Sequence, residues 1–201
     1  GTRQGGPVQG LAADQGIHRG LGLGHRVVTG PEGARRGAVS DAAWLGLCAL
    51  VLRLWRAGAQ SLWYDEGTSA ALATRSAADI LAAAAADIHP PLYYLLLATW
   101  TRALGDGVVA LRGLSAVLGA LGVAGIYVLA RRLAGRGPAI ATGLLAAASP
   151  LLVWYGQEAR MYVLAAALTP WLAWLALRLL DGRDPPATRR ARASGLVAAT
   201  A

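Results

Sequence analysis

The sequence predicts an all-α, polytopic membrane protein with about four transmembrane helices and further helices in the first outer loop. Hydrophobic residues make up 55% of the 201 residues, and the mean hydropathy is +0.43. Charged residues make up only 15%, against roughly 25% in an ordinary soluble domain. The apolar residues form blocks long enough to cross a bilayer, and the 19 basic side chains, all arginine, lie largely between these blocks.

Composition divides the chain into three parts. Residues 1–37 are rich in glycine, carry scattered arginines and have no apolar periodicity, which predicts a disordered basic tail. The Gly-Leu alternation at 20–24 lacks the Gly-x-Gly-x-x-Gly spacing of a dinucleotide loop, and no strand precedes it. Residues 38–180 are predicted to form the membrane domain, and 181–201 a basic cytoplasmic loop that is cut short.

Four apolar blocks have the length of a span, which is about 17–25 residues. They cover about 38–58, Leu111–Leu133, Pro138–Tyr155 and Tyr162–Leu180. The first is the weakest, because Asp41, Arg53 and Arg56 interrupt it. A fifth run, Pro91–Trp100, is too short to span and suits an interfacial or re-entrant helix. We therefore expect juxtamembrane helices across roughly Thr68–Ala86 and Pro91–Leu104 in the first outer loop.

The arginine distribution decides whether the fifth run crosses the membrane. If it does not cross and the N-terminus is cytoplasmic, 13 arginines lie inside and 6 outside. If it does cross, 8 lie inside and 11 outside. Cytoplasmic loops carry the excess of arginine, so the first topology is favoured. It places every acidic residue between the first span and the end of the fourth on the outer face, together with His89 and Arg160.

Other readings of the basic, apolar N-terminal half are less well supported. The net charge of +8 and the pI of about 10.7 do not indicate nucleic-acid binding, because the arginines flank apolar blocks and form no basic face. A signal peptide ending at Ala57-Gly58-Ala59 would begin far from the N-terminus and carry Arg53 and Arg56 just before cleavage, both unusual. The single cysteine, Cys48, excludes an internal disulfide framework.

The first chemical motif, Trp63-Tyr64-Asp65-Glu66, follows the first span directly. Tryptophan and tyrosine favour the membrane interface, so the aromatic pair alone needs no functional explanation. A carboxylate beside lipid is costly unless it is paired or solvated. In glycosyl transfer, one carboxylate can accept the proton of the acceptor hydroxyl, and a second can hold a metal ion or an acceptor group.

The second motif runs from Asp87 through His89 to the prolines Pro90 and Pro91. Two prolines can begin a helix but not continue one, so they mark where the outer loop turns back toward the interface. Asp87 could simply cap that helix, and His89 could be an ordinary surface histidine. Equally, both residues could lie where a lipid phosphate headgroup binds.

The third motif places Gln157, Glu158 and Arg160 within four residues, between two strong spans. A loop this short does not need a charged pair to connect two helices. The planar guanidinium of Arg160 suits a phosphate, since it makes two charge-assisted hydrogen bonds. The alternative is a surface ion pair between Glu158 and Arg160, which contributes little energy.

Together these stretches resemble bacterial members of glycosyltransferase family 39, which includes protein O-mannosyltransferases and is related to the aminoarabinose transferases of the GT-C superfamily. The resemblance covers about 38–180 and is carried, in family order, by SLWYDEGTSA, DIHPPLYYLLL, ALRGLSAVLGALG with IYVLARRLAG, and ASPLLVWYGQEARMY. It implies that Asp65 is the catalytic base and Glu66 its partner in acceptor or metal handling. It places near the donor phosphate His89, Arg112 and Arg160, and at the pocket rim Asp87, Gln157, Glu158 and Tyr162.

The resemblance implies inverting transfer of a hexose or pentose from polyprenyl phosphate to a hydroxyl of a protein, lipid or glycan. The active site would face outward from a bacterial inner membrane, and the all-arginine usage fits a GC-rich bacterial genome. A divalent cation remains open as a cofactor, because no ligand spacing is diagnostic. Family members carry more spans and a C-terminal portion, so the chain is expected to be an N-terminal part that lacks the spans expected to wall the lipid groove, which leaves the activity of this truncated chain open.

Two rival functions are weaker. A transporter fragment would place ionisable residues near the midplane, often at broken helices, whereas here the acids lie at one interface. A structural anchor with a basic tail leaves the Asp65-Glu66 pair and the Gln157–Arg160 loop unexplained.

Overall fold

The computed structural model describes residues 1–2, 31–86 and 89–181, with side chains of the first helix from Arg36 onward. All regular secondary structure in these ranges is helical, in eight helices. They are α1 Pro31–Leu54, α2 Tyr64–Ala73, α3 Ala77–Ala85, α4 Leu92–Leu104, α5 Val108–Ala134, α6 Arg136–Ala148, α7 Pro150–Gln157 and α8 Tyr162–Leu180. Most of the predicted tail, nearly all of the predicted C-terminal loop, and Asp87 lie outside the described residues.

The spanning helices match the predicted blocks. Three helices of the described residues are long and apolar enough to cross a membrane, over Arg36–Leu54, Val108–Ala134 and Tyr162–Leu180. Helices α6 and α7 make a fourth span if they are counted together, and they are bent by 53°. The bend falls at Ser149-Pro150, where the proline begins α7 and lacks the N–H that would continue α6. The prediction of an all-α polytopic protein is confirmed.

Helix α5 lies at the centre and packs against α1, α6, α7 and α8. Small residues make this close packing possible. A Cβ on Gly122 would lie 3.1 Å from the Cα atom of Ala167 in α8, and one on Gly125 would lie 2.7 Å from the indole nitrogen of Trp171. In lipid, helices gain little from apolar burial, so such close contact between backbones is a main source of association.

The connection between the first two spanning helices, α1 and α5, carries three short helices. The expected helical stretch over Thr68–Ala86 is two helices, because the chain breaks after α2 and Ser76 caps α3 by accepting the backbone N–H of Asp79. Helix α2 begins four residues earlier than expected. Helix α4 has 13 residues, too few for a span, and its buried Tyr93 and Leu97 pack in a core with residues of α3, α5 and α8.

Arg53 in the last turn of α1 is fully buried. Its guanidinium donates to the carbonyl oxygens of Ala49 at 3.0 Å and of Leu152 in α7 at 3.1 Å. Gly119 and Gly156 leave the space for it, since a Cβ on either glycine would lie 2.5 Å from its Nε. The arginine that weakened the first span in the sequence therefore joins α1, α5 and α7.

The opposite end of the bundle carries a second charged cluster, at the ends of α1, α5 and α6. The carboxylate of Asp41 accepts hydrogen bonds from Arg136 at 2.8 and 2.9 Å and from the Tyr127 hydroxyl at 2.7 Å. Arg131 adds an ion pair at 3.4 Å. Arg132 pairs with Asp181 at the end of α8. We call these residues the Asp41 cluster.

Candidate functional site

The first and third sequence motifs meet at one end of the helix bundle. Asp65 and Glu66 lie in the first turn of α2, and Ala159 and Arg160 lie in the connection between α7 and α8. Asp65 Oδ2 is 2.9 Å from Arg160 Nη1. The backbone N–H of Ala159 donates to Glu66 Oε1 at 2.9 Å. Residues 93 positions apart in sequence thus form one set of contacts.

Glu66 and Arg112 form a buried ion pair, with side chains 0% and 9% exposed. Arg112 donates from Nε to Glu66 Oε1 at 2.8 Å and from Nη2 to Oε2 at 2.6 Å. Its remaining N–H groups donate to carbonyl oxygens of the α1–α2 connection, those of Ala57, Gln60 and Ser61. All five donors of Arg112 are engaged, so none is left for a phosphate. We call this group, with the Ala159 N–H, the Glu66–Arg112 cluster.

The surroundings of Glu66 favour its ionised form. Burial acts to raise its pKa, but the hydrogen bonds from Arg112 and from the Ala159 N–H outweigh burial, and the pKa lies below its ordinary value of 4.5. The N–H of Trp63 adds a contact at 3.4 Å, as in half of a capping box. Glu66 is therefore a charged group that fixes the start of α2 against α5 and the α7–α8 connection.

Asp65 points away from this cluster. Adjacent residues of a helix differ by about 100° around its axis, so the two carboxylates face different spaces. Asp65 retains 37% exposure of its side chain while it contacts Arg160. The Arg160 guanidinium lies over the rings of Trp63, at 5.3 Å, and Tyr162, at 4.7 Å. Two aromatic rings and one carboxylate hold it in place.

Asp65 and Arg160 line a pocket of about 260 Å³. His89 lines the same pocket, together with Tyr64, Thr68 and Tyr94. The structure thus brings together one of the two predicted catalytic acids, Asp65, and two of the three residues predicted near the donor phosphate. We call it the Asp65 pocket.

A larger cavity of about 710 Å³ adjoins the Asp65 pocket across Trp63. Three tryptophans line it, Trp55, Trp63 and Trp154, along with Arg56 and Glu158. Glu66, Arg112 and Gln157 also contribute to its wall. We call it the tryptophan cavity. Its apolar rings and few charged groups are typical of a small-molecule site.

Glu158 differs from Glu66 in its electrostatic environment. Burial, and then the negative charge of Glu66, raise the pKa of Glu158 above its ordinary value of 4.5, although Arg160 and a hydrogen bond from Trp154 act in the other direction. Gln157 beside it is anchored, because its side-chain amide donates to the carbonyl oxygens of Leu52 at 3.3 Å and Trp55 at 3.1 Å. These bonds cap the C-terminus of α1 and hold the loop in position.

Sequence reasoning found the acids and arginines of the site but gave no role to the tryptophans, which it treated as interface anchors. Arg56 appeared only as an interruption of a span, yet it lines the tryptophan cavity with a left-handed backbone, φ 60°. Such a conformation in a non-glycine residue is uncommon and is often found at functional sites. The aromatic residues beside each acidic motif were the available signal.

The described residues contain no group of three or more histidine, cysteine or acidic side chains that could hold a metal ion. Asp65 and Glu66 face different spaces, so they do not form a shared ligand pair here. The divalent cation that the sequence left open as a cofactor therefore does not fit this pair of acids.

One comparison with known proteins decides the family. The family model for dolichyl-phosphate-mannose-protein mannosyltransferase matches residues 88–200, more than half of the chain. The chain belongs to this mannosyltransferase family. No curated protein and no solved structure matched the chain in the other two comparisons. The expected kinship with protein mannosyltransferases is confirmed, and it makes the chain a mannosyltransferase-like glycosyltransferase of the membrane. Of the three motifs, the match includes His89 and the whole Gln157–Arg160 loop, whereas Asp65 and Glu66 precede it.

Proposed function

We propose that this mannosyltransferase-family chain transfers a hexose or pentose, with inversion, from a polyprenyl-phosphate donor to a hydroxyl acceptor at the outer membrane face. The observation that carries the proposal is the contact between Asp65 and Arg160, at 2.9 Å, in a pocket that also contains His89. A carboxylate and a phosphate-binding cation are the two groups that this reaction requires.

Asp65 is the proposed general base. The acceptor hydroxyl gives its proton to the Asp65 carboxylate while its oxygen bonds to the anomeric carbon, and the bond from that carbon to the phosphate oxygen breaks. Polyprenyl phosphate leaves with the electron pair. A base must lie within hydrogen-bond reach of the proton that it accepts, and the exposed part of the Asp65 side chain offers that reach.

Arg160 is the proposed phosphate ligand. One Nη atom contacts Asp65, so the guanidinium retains N–H groups for a second anion. A planar guanidinium can bind two oxygens of a phosphate through charge-assisted hydrogen bonds. His89 at the wall of the same pocket is proposed to assist. Arg112 is not included, because all of its donors have protein acceptors.

The test is sugar transfer by the Asp65→Asn variant in membranes that contain polyprenyl-phosphate mannose. We expect transfer to fall by about 100-fold or more, the range for removal of a general base, with normal membrane insertion. Asp106→Asn is the matched control, since Asp106 is an exposed acid of the α4–α5 connection and should retain activity. Full transfer by Asp65→Asn would refute the assignment, and a transporter would show no transfer by the unmodified chain.

The outward orientation has its own test. On a Cys48→Ala background, single cysteines replace Thr68 in α2 and Gly137 in α6, both of them exposed. A membrane-impermeant thiol reagent applied to intact cells should label the cysteine at 68 and not the one at 137. The reverse pattern would place the site on the cytoplasmic side.

A further inference from the structure

We propose that the tryptophan cavity holds the pyranose ring of the donor and that Glu158 recognises the hydroxyl groups of this ring. The inference rests on the proposed function and assigns a residue for sugar specificity. The two spaces differ in the groups that line them. The Asp65 pocket contains the proposed base and phosphate ligand, whereas the tryptophan cavity contains neither.

The walls of the cavity have the chemistry of a sugar site. Trp55, Trp63 and Trp154 present flat apolar surfaces, and a pyranose ring has flat faces of C–H groups that can pack on them. The edge of such a ring carries hydroxyl donors, for which a carboxylate is a strong acceptor. The volume of about 710 Å³ lies within the usual 300–1,000 Å³ of ligand sites.

Glu158 is the carboxylate of this cavity that remains available. Glu66 also reaches the wall, but both of its oxygens are taken up by Arg112 and by backbone N–H groups. Glu158 accepts from Trp154, and the anchoring of Gln157 to the end of α1 fixes the loop that carries it. A rigid acceptor beside aromatic surfaces is pre-organised for a polyhydroxyl ligand.

The position of the cavity suits the reaction. Trp63 is a wall of the cavity, and on its ring lies Arg160, whose guanidinium is 5.3 Å from the ring centroid. A sugar stacked at Trp63 would therefore have its phosphate close to Arg160, which in turn contacts Asp65 at 2.9 Å.

The ionised Glu158 side chain lowers the stability of the fold, and this supports a role for Glu158 in binding. Burial and the charge of Glu66 raise the pKa of Glu158 above its ordinary value, so its ionised form destabilises the fold at neutral pH. Glu158→Gln keeps the shape and removes that charge, and the folded protein should become no less stable. Groups that cost stability are common where they serve binding or catalysis.

The experiment measures lipid binding to the full chain in nanodiscs, by quenching of tryptophan fluorescence. Glu158→Ala should weaken the affinity for polyprenyl-phosphate mannose about tenfold, the loss expected for a charged hydrogen bond, and leave the affinity for polyprenyl phosphate unchanged. Glu158→Gln should show the same pattern with a smaller loss, and Asp106→Asn should change neither affinity.

Two results would overturn the inference. Equal losses for both lipids would mean that Glu158 acts on the phosphate or on the fold, and unchanged affinity for both would mean that it contacts neither. Binding needs no turnover, so this outcome is separate from that of the proposed function. If the chain does not transfer the sugar but still binds polyprenyl-phosphate mannose more weakly when Glu158 is replaced, the proposed reaction is refuted and the sugar site stands.

Discussion

The two ends of the helix bundle both gather charged side chains, but they use them differently. At the Asp41 cluster, one carboxylate receives two arginines and a tyrosine hydroxyl. At the opposite end, the Glu66–Arg112 cluster is buried and saturated. This second end also places further charged groups, Asp65 and Glu158, beside cavities that can admit a ligand.

The difference shows how a catalytic surface can be held in a membrane protein. Glu66 and Arg112 fix the start of α2, the α1–α2 connection and the α7–α8 connection through hydrogen bonds. Asp65, one residue from Glu66, and Arg160, one residue from Ala159, then have defined positions without being buried themselves. The buried Glu66–Arg112 pair holds the site in position, and the neighbouring Asp65 and Arg160 remain accessible for chemistry.

Removal of Arg112 should have the largest effect on stability. Arg112→Met leaves the buried carboxylate of Glu66 without its cation, which typically costs about 3–5 kcal/mol. The free energy of unfolding, measured by titration with a denaturing detergent, should fall by that order. A loss no larger than that of a surface substitution would contradict the assigned role of the Glu66–Arg112 cluster.

The space around Arg53 gives the next largest effect. Gly156→Ala adds a Cβ that would lie 2.5 Å from both Cδ and Nε of Arg53, and overpacking of this kind costs about 1–3 kcal/mol. Gly67→Ala is the matched control, because a Cβ there meets nothing within 4 Å. The control should stabilise α2 by about 0.5–1 kcal/mol. Equal stabilities of the two variants would refute close packing at Arg53.

The pH dependence of stability should separate the two glutamates, the buried Glu66 and the partly buried Glu158. The pKa of Glu66 is lowered in the fold, so its contribution is present above its ordinary value of 4.5 and is lost as pH falls through the folded value. The pKa of Glu158 is raised, so stability falls as pH rises from 4.5 through the folded value. We would measure the free energy of unfolding between pH 3 and 7. Glu158→Gln should remove the loss of stability that occurs as pH rises, and should keep the loss that occurs as pH falls. A curve unchanged by Glu158→Gln would contradict this account.

The smallest effect is expected at the Asp41 cluster. The Arg136 side chain is 63% exposed, and exposed ion pairs contribute little and are screened by salt. Arg136→Met should reduce the free energy of unfolding far less than Arg112→Met, and added salt should diminish the difference from the unmodified chain. A loss comparable to that of Arg112→Met would erase the proposed contrast between the two ends.

Hydropathy and helix signals predicted most of the fold. The span lengths, the short fifth run and the helices between the first two spans follow from local properties of the sequence. The division between α2 and α3 was not foreseen, because the alanine-rich stretch favours helix throughout and only Ser76 caps a new start. The role of Arg53 was equally hidden, since it depends on glycines 66 and 103 positions later, Gly119 and Gly156.

The candidate site was predicted in composition but not in arrangement. Charged motifs beside spans pointed to Asp65, Glu66 and Arg160, whose contacts the structure then supplies. Arg112 has no N–H group left for a phosphate, because three carbonyl oxygens of the α1–α2 connection accept from it. No sequence pattern encodes these contacts. The tryptophan cavity likewise exists only once distant segments fold together.

A double-mutant cycle on sugar transfer tests the central claim, that Asp65 and Arg160 act in one site. Rates would be measured with polyprenyl-phosphate mannose for Asp65→Asn, Arg160→Gln and the combination. Residues that act as a unit lose activity non-additively, so the double variant should be about as slow as Asp65→Asn alone. If the two losses instead multiply, the residues act independently and the single site proposed here is wrong.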